Sequence, residues 1–97
     1  MQRITRKHLE AQAYRINRMT GSPDTRWNEN GTMNIGHYYI SGAYGGYNLA
    51  RIVGDGGAES CPLHCGHIPA RELSGLMYAF MYGIMEGEKL PKTEGAQ

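Results

Sequence analysis

The sequence predicts an α+β domain in the order helix, three-stranded antiparallel meander, helix (αβββα), with both helices on one face of the sheet. Two observations carry this. Apolar residues recur at spacings of three and four near both ends of the 97-residue chain. Between them lie alternating segments punctuated by Asn, Gly and Pro, the residues of turns. Helices that flank a meander bury their apolar stripes by layering on it. The expected limits are one domain over 1–87 and a flexible C-terminal tail over 88–97.

The first helix is expected over 5–20. Thr5 suits the N-cap, because its hydroxyl accepts from an unpaired amide of the first turn. Ile4 and Leu9 fit a hydrophobic staple across that cap. Leu9, Ala13 and Ile16 recur at helical spacing, Gly21 suits the C-terminal cap, and Pro23 stops continuation. Asn30-Gly31 is a two-residue hairpin signal, since both residues tolerate positive φ. It predicts strands at about 25–29 and 32–40. A third strand is expected over 47–53, joined to the second by Ser41-Gly42-Ala43-Tyr44-Gly45-Gly46. From Gly54 to His67 no periodicity is visible, and the segment reads as a loop. The second helix runs from Pro69, which suits the first turn, to Gly87. Leu73, Leu76, Met77, Phe80 and Ile84 form its stripe. Tyr78, Met81, Tyr82 and Met85 widen the stripe beyond half the circumference, more than one small sheet covers, and this predicts a homo-oligomer.

Composition narrows the function. Net charge is +1 with His neutral, without the basic excess of a dedicated nucleic-acid binder. The αβββα order is that of double-stranded RNA-binding domains. Those domains place a lysine cluster where the second helix begins, to meet phosphates. Here that place reads Ile68-Pro69-Ala70-Arg71-Glu72, so nucleic acid is the less favoured partner. No apolar run reaches the ~20 residues of a membrane span. The charged start lacks the apolar core of a signal peptide, and a cytoplasmic location with two free thiols is expected.

No residue pattern makes a positive case for catalysis. The stretch CPLHCGH holds four potential metal ligands, Cys61, His64, Cys65 and His67. Four ligands within seven residues strain a tetrahedral shell, so they are weak candidates and no metal or other cofactor is expected. Either cysteine beside His37, His64 or His67 would make a nucleophile pair, but nothing supplies the third, orienting group. The carboxylates Glu10, Asp24, Glu29, Asp55, Glu59 and Glu72 fall at no telling spacing.

The segment SGAYGGYNL is the strongest binding candidate. It matches no dinucleotide or Walker fingerprint, yet it combines accessible backbone amides with aromatic rings that can stack on a base. The candidate ligand set is Tyr44 and Tyr47 for the base, Gly45 and Gly46 for amides, and His37 and Arg51 for phosphate. Tyr39 lies beside them, and Arg15 or Arg18 of the first helix closes the site. A glycine-rich hairpin whose tyrosines belong to the core accounts for the same residues without a ligand.

Ile4-Thr5-Arg6-Lys7, Arg15-Ile16-Asn17-Arg18, Thr20-Gly21-Ser22-Pro23, the block from Asn34 to Leu49 and Pro69-Ala70-Arg71-Glu72-Leu73 together resemble a family of small phage-encoded accessory proteins. The resemblance spans most of residues 4–85. It implies a counter-defence factor in the host cell cytoplasm: a non-enzymatic, homo-oligomeric protein that binds and sequesters a nucleotide-like host signal. The alternatives are an inhibitor that binds a host defence protein and a nucleic-acid-binding domain. The resemblance also implies that the cysteine-containing loop is a variable segment, which weighs further against a metal.

Overall fold

A computed structural model describes residues 3–89. The elements are α1 (Arg6–Thr20), β1 (Tyr38–Ala43), β2 (Gly46–Ile52), β3 (Glu59–Ser60) and α2 (Ala70–Lys89). The sheet is antiparallel in the order β1-β2-β3. This is the αβββα fold.

α1 forms where its caps dictate. The Thr5 hydroxyl accepts from the His8 amide at 3.3 Å. At the other end Gly21 takes a left-handed φ of 70°. Its N–H donates to Arg18 O, and Ser22 N–H donates to Asn17 O, a paired closure that glycine permits without a Cβ penalty. The inner face of α1 is Leu9, Gln12, Ala13, Ile16 and Asn17.

In the β1–β2 register Ile40 faces Leu49 and Tyr38 faces Arg51. Opposed residues share a sheet face, so Tyr38, Ile40 and Leu49 lie together. They join Leu9, Ala13 and Ile16 of α1 and Leu73, Met77 and Met81 of α2 in one buried cluster. Both helices therefore cover the same face. Burying a side chain of this size stabilises by roughly 1.5–3 kcal/mol. The opposite face is also closed to solvent at Asn48, Ala50 and Ile52.

Asn17 ties α1 to the sheet. It is 2% exposed. Its Nδ2 donates to the Tyr38 carbonyl at 3.0 Å, and the Tyr38 N–H donates to its Oδ1 at 2.8 Å. The carboxamide thus pairs β1 as a neighbouring strand would. Gln12 links the helices, donating from Nε2 to Ser74 O at 3.2 Å. Its Oε1 is buried and finds no partner among the described residues.

The strand expected over 47–53 forms, as β2, but the two expected before it are not where the sequence pattern puts them. Segments 25–29 and 32–37 form no strand, only an isolated bridge between Trp27 and Met33. Two causes act together. The Asn28 side chain captures the local backbone, accepting from the Asn30 and Thr32 amides and donating to the Thr32 hydroxyl, which competes with a ladder. Trp27 and Ile35 are exposed, so pairing there would bury little. The hairpin instead turns at Tyr44-Gly45, both with positive φ (53° and 75°), as a right-twisted two-residue loop requires. Part of the expected loop becomes β3: Gly57 N–H donates to Gly54 O and Val53 N–H to Ala58 O, returning the chain along β2.

α2 also differs in detail. It continues through Gly87 to Lys89, because Gly87 does not adopt the positive φ of a helix-ending glycine. Residues 90–97 of the expected tail lie outside the described residues. Leu76 leaves the core stripe and is exposed, whereas Met81 is buried. The inward arc is centred between Leu73 and Met81, where the contact with α1 lies.

Replacing Asn17 with Ala leaves the Tyr38 N–H and C=O unpaired in a dry environment. The expected loss is about 2–4 kcal/mol, measured by urea unfolding; a loss below about 1 kcal/mol contradicts the role given to Asn17.

Candidate functional site

The three glycines of SGAYGG have three separate causes. A Cβ on Gly42 would stand 3.0 Å from Arg6 Nη1 and 3.6 Å from the Tyr47 ring; its absence lets Arg6 lie across β1. Gly45 completes the positive-φ turn. Gly46 is buried beneath a neighbouring segment, and a Cβ there would meet the His67 carbonyl carbon at 2.9 Å and Ile68 N and O at 3.0 Å. That close approach permits the bridge in which Tyr47 N–H donates to Ile68 O at 2.8 Å and Ile68 N–H to Tyr47 O at 2.9 Å. The bridge sets the start of α2 beside the hairpin.

Around this junction is a cavity of about 540 Å³ lined by Arg3, Ile4, Thr5, Arg6, Gly45, Tyr47, Pro69, Ala70 and Arg71. Three arginines and no carboxylate stand in its wall. The Arg6 guanidinium lies 5.9 Å from the Tyr47 ring centroid, a cation–π distance. Its Nε pairs with Glu10 at 3.2 Å and its Nη2 donates to Ile40 O at 3.4 Å, so its orientation is constrained from behind. The wall includes the first residues of α2, whose leading amides have no carbonyl partner within the helix, and these favour an anion.

A second groove, of about 340 Å³, shares Arg6 with the first. Its wall includes Glu10, Tyr14, Asp24, Arg26, His37 and Tyr39. Arg26 sits over the Tyr39 ring at 4.1 Å, and the Tyr39 hydroxyl donates to the Glu59 carboxylate. His37 Nδ1 is 2.9 Å from Pro23 O. A carbonyl only accepts, so the proton is on Nδ1. His37 thereby tethers the 22–25 segment to the sheet and stacks on Tyr39, with centroids 6.2 Å apart and planes 7° from parallel.

The residues singled out from sequence are thus dispersed. Gly45 and Tyr47 line the arginine cavity, whereas His37 and Tyr39 line the groove. Gly46 serves backbone packing. Tyr44 is 99% exposed at the turn and meets His67 edge-on at 6.0 Å. Arg51 is over the Tyr38 ring at 5.4 Å, in the wall of neither cavity. Arg15 and Arg18 are exposed, and Arg18 lies over Tyr14; neither is in the wall of either cavity. Arg3, Arg6 and Arg71, overlooked in the sequence, are the arginines that line the cavity beside the hairpin. Their signal was position: each lies within a few residues of a helix start.

In the cysteine-containing loop, no three His, Cys, Asp or Glu side chains gather as a metal would require, among the described residues. Cys65 Sγ lies 3.4 Å from Asn48 Oδ1. Burial pushes the Cys65 thiol above its usual range, and the neighbouring Cys61 adds to this, against the opposing effect of a backbone hydrogen bond. No helix of the described residues is long and apolar enough to cross a membrane.

No family model, curated protein or solved structure matches this chain.

Gly46→Ala forces the 67–68 backbone away from β2 and is expected to cost about 1–3 kcal/mol, measured by thermal or urea unfolding. For Cys65, less thiolate is present at a given pH than in a free thiol. Its iodoacetamide labelling, followed by mass spectrometry from pH 7 to 10, therefore rises at higher pH in the folded chain than in the same chain unfolded in urea; coincident profiles contradict the assignment.

Proposed function

We propose that this chain is a non-catalytic binding protein that holds a nucleotide-like anion in the arginine cavity and sequesters it. The supporting observation is the convergence of Arg3, Arg6 and Arg71 on a wall without carboxylates, beside the Tyr47 ring. Arginine offers a planar fork that matches phosphate oxygens in pairs. Tyr47 offers a ring for stacking, and the start of α2 offers backbone donors. None of the side chains in this wall is His, Cys, Asp or Glu, so the groups present serve charge and shape recognition. The phage-family resemblance supports a host defence signal as the ligand and the host cytoplasm as the place of action.

A second reading rests on a different surface. Tyr78, Tyr82 and Met85, which share one side of α2, are 40–64% exposed, an apolar face of the kind that marks protein partners. It supports an inhibitor of a host defence protein, or a second copy of this chain, as the occupant.

Titration calorimetry with inorganic pyrophosphate and nucleoside diphosphates tests the first reading. Binding is expected to weaken as salt rises, since the contacts are ionic. Arg3→Gln and Arg71→Gln are each expected to weaken it by about tenfold. No heat and no thermal stabilisation with any of these ligands overturns it, and a single host protein retained by the chain then favours the second reading.

A further inference from the structure

The groove on the far side of Arg6 carries two opposite charges that do not neutralise each other. Asp24 and Arg26 both line it, one residue apart. Among the described residues no hydrogen bond or ion pair engages the Asp24 carboxylate. Arg26 is held differently. Its guanidinium rests 4.1 Å from the Tyr39 ring centroid, and the Tyr39 hydroxyl is itself fixed by Glu59. A fork stacked on an anchored ring keeps its orientation and loses little freedom when it donates in pairs.

From this arrangement we infer that the groove reads the base of the ligand and prefers guanine. The inference rests on the phosphate-binding reading of the neighbouring arginine cavity, with Arg6 as the shared wall between phosphate and base. Guanine presents two chemically opposite edges. O6 and N7 accept, and a guanidinium fork satisfies both together. N1–H and the 2-amino group donate side by side, and only an acceptor with two oxygens, a carboxylate, takes both. Asp24 and Arg26 supply this complementary pair. Adenine fits poorly: its N1 lone pair would face the carboxylate, and its 6-amino group stands where the guanidinium needs an acceptor. Hypoxanthine keeps O6, N7 and N1–H but lacks the second donor for Asp24. Pyrimidines present no N7.

The test is calorimetry on the full chain with GDP, inosine diphosphate, ADP and pyrophosphate. GDP is expected to bind at least about fivefold tighter than ADP, the lower end of what one good bidentate contact contributes, with inosine diphosphate between them. Asp24→Asn is expected to bring GDP within about fivefold of ADP while pyrophosphate affinity is unchanged. Arg26→Lys keeps the charge but removes the fork, and is expected to lower the same ratio. Both positions are exposed, and unaltered melting curves confirm that the variants fold. A GDP to ADP ratio below about fivefold in the unmodified chain, with pyrophosphate still bound, overturns the guanine preference and leaves the phosphate site standing. A ratio that survives Asp24→Asn also overturns it. If neither pyrophosphate nor any nucleotide binds, both readings fall together.

Discussion

The pairing of the Asn17 carboxamide with the Tyr38 backbone is the constraint on which the rest of this small fold depends. β1 is an edge strand. An edge strand exposes unpaired N–H and C=O groups, and left dry they would cost about 1–3 kcal/mol each. Asn17 satisfies both from within α1. It thereby decides where α1 rests on the sheet, and where β1 begins. Residue 38 is the first that has both a helical partner on one side and β2 on the other. Before it, Gly36 and His37 still bond the backbone of Ile52 in β2 but have no helical backbone partner, and the chain further upstream stays in turns held by Asn28, Asn34 and His37.

Once α1 is set, Arg6 has little choice of place. Ile4 and Leu9 are drawn to the core, and the helix start is thereby fixed above the hairpin. Arg6 then lies across Gly42, where no Cβ blocks it, and over Tyr47. The Tyr47–Ile68 bridge brings the start of α2, and with it Arg71, to the same cavity. A cationic pocket follows from a hairpin glycine, a strand bridge and two helix starts. The adjoining groove follows from the tethering of the 22–25 segment by His37, which carries Asp24 and Arg26 to the other side of Arg6.

Tyr44 stands apart from these arrangements. It holds a left-handed backbone conformation that L residues with bulky side chains adopt at a cost of roughly 1–2 kcal/mol, while its ring is almost wholly in solvent. Neither packing nor turn geometry calls for tyrosine there, since Asn or Gly would make the same turn more easily. Its only described ring contact is the edge-on approach to His67.

The sequence by itself determined both helices, the caps of α1 at Thr5 and Gly21, the glycine-rich hairpin and the αβββα order. These are set by local chemistry: side chain to backbone capping, the period of apolar residues and the φ freedom of glycine. Tertiary structure alone decided which segments pair. The Asn30-Gly31 hairpin turn does not form, because Asn30 lacks the positive φ it requires; the chain turns over 28–31 with Gly31 N–H donating to Asn28 O, and with Trp27 and Ile35 exposed the ladder lies downstream, where residues have an apolar face to bury. It also decided which arginines meet. Arg15 and Arg18 line neither cavity, because α1 turns them away from the face that Leu9, Ala13 and Ile16 bury. Arg3, Arg6 and Arg71 come together only when two helix starts, more than sixty residues apart, are joined through β2. Charge at the surface has no periodic signature of its own, so its grouping becomes visible only after the core has positioned the elements that carry it.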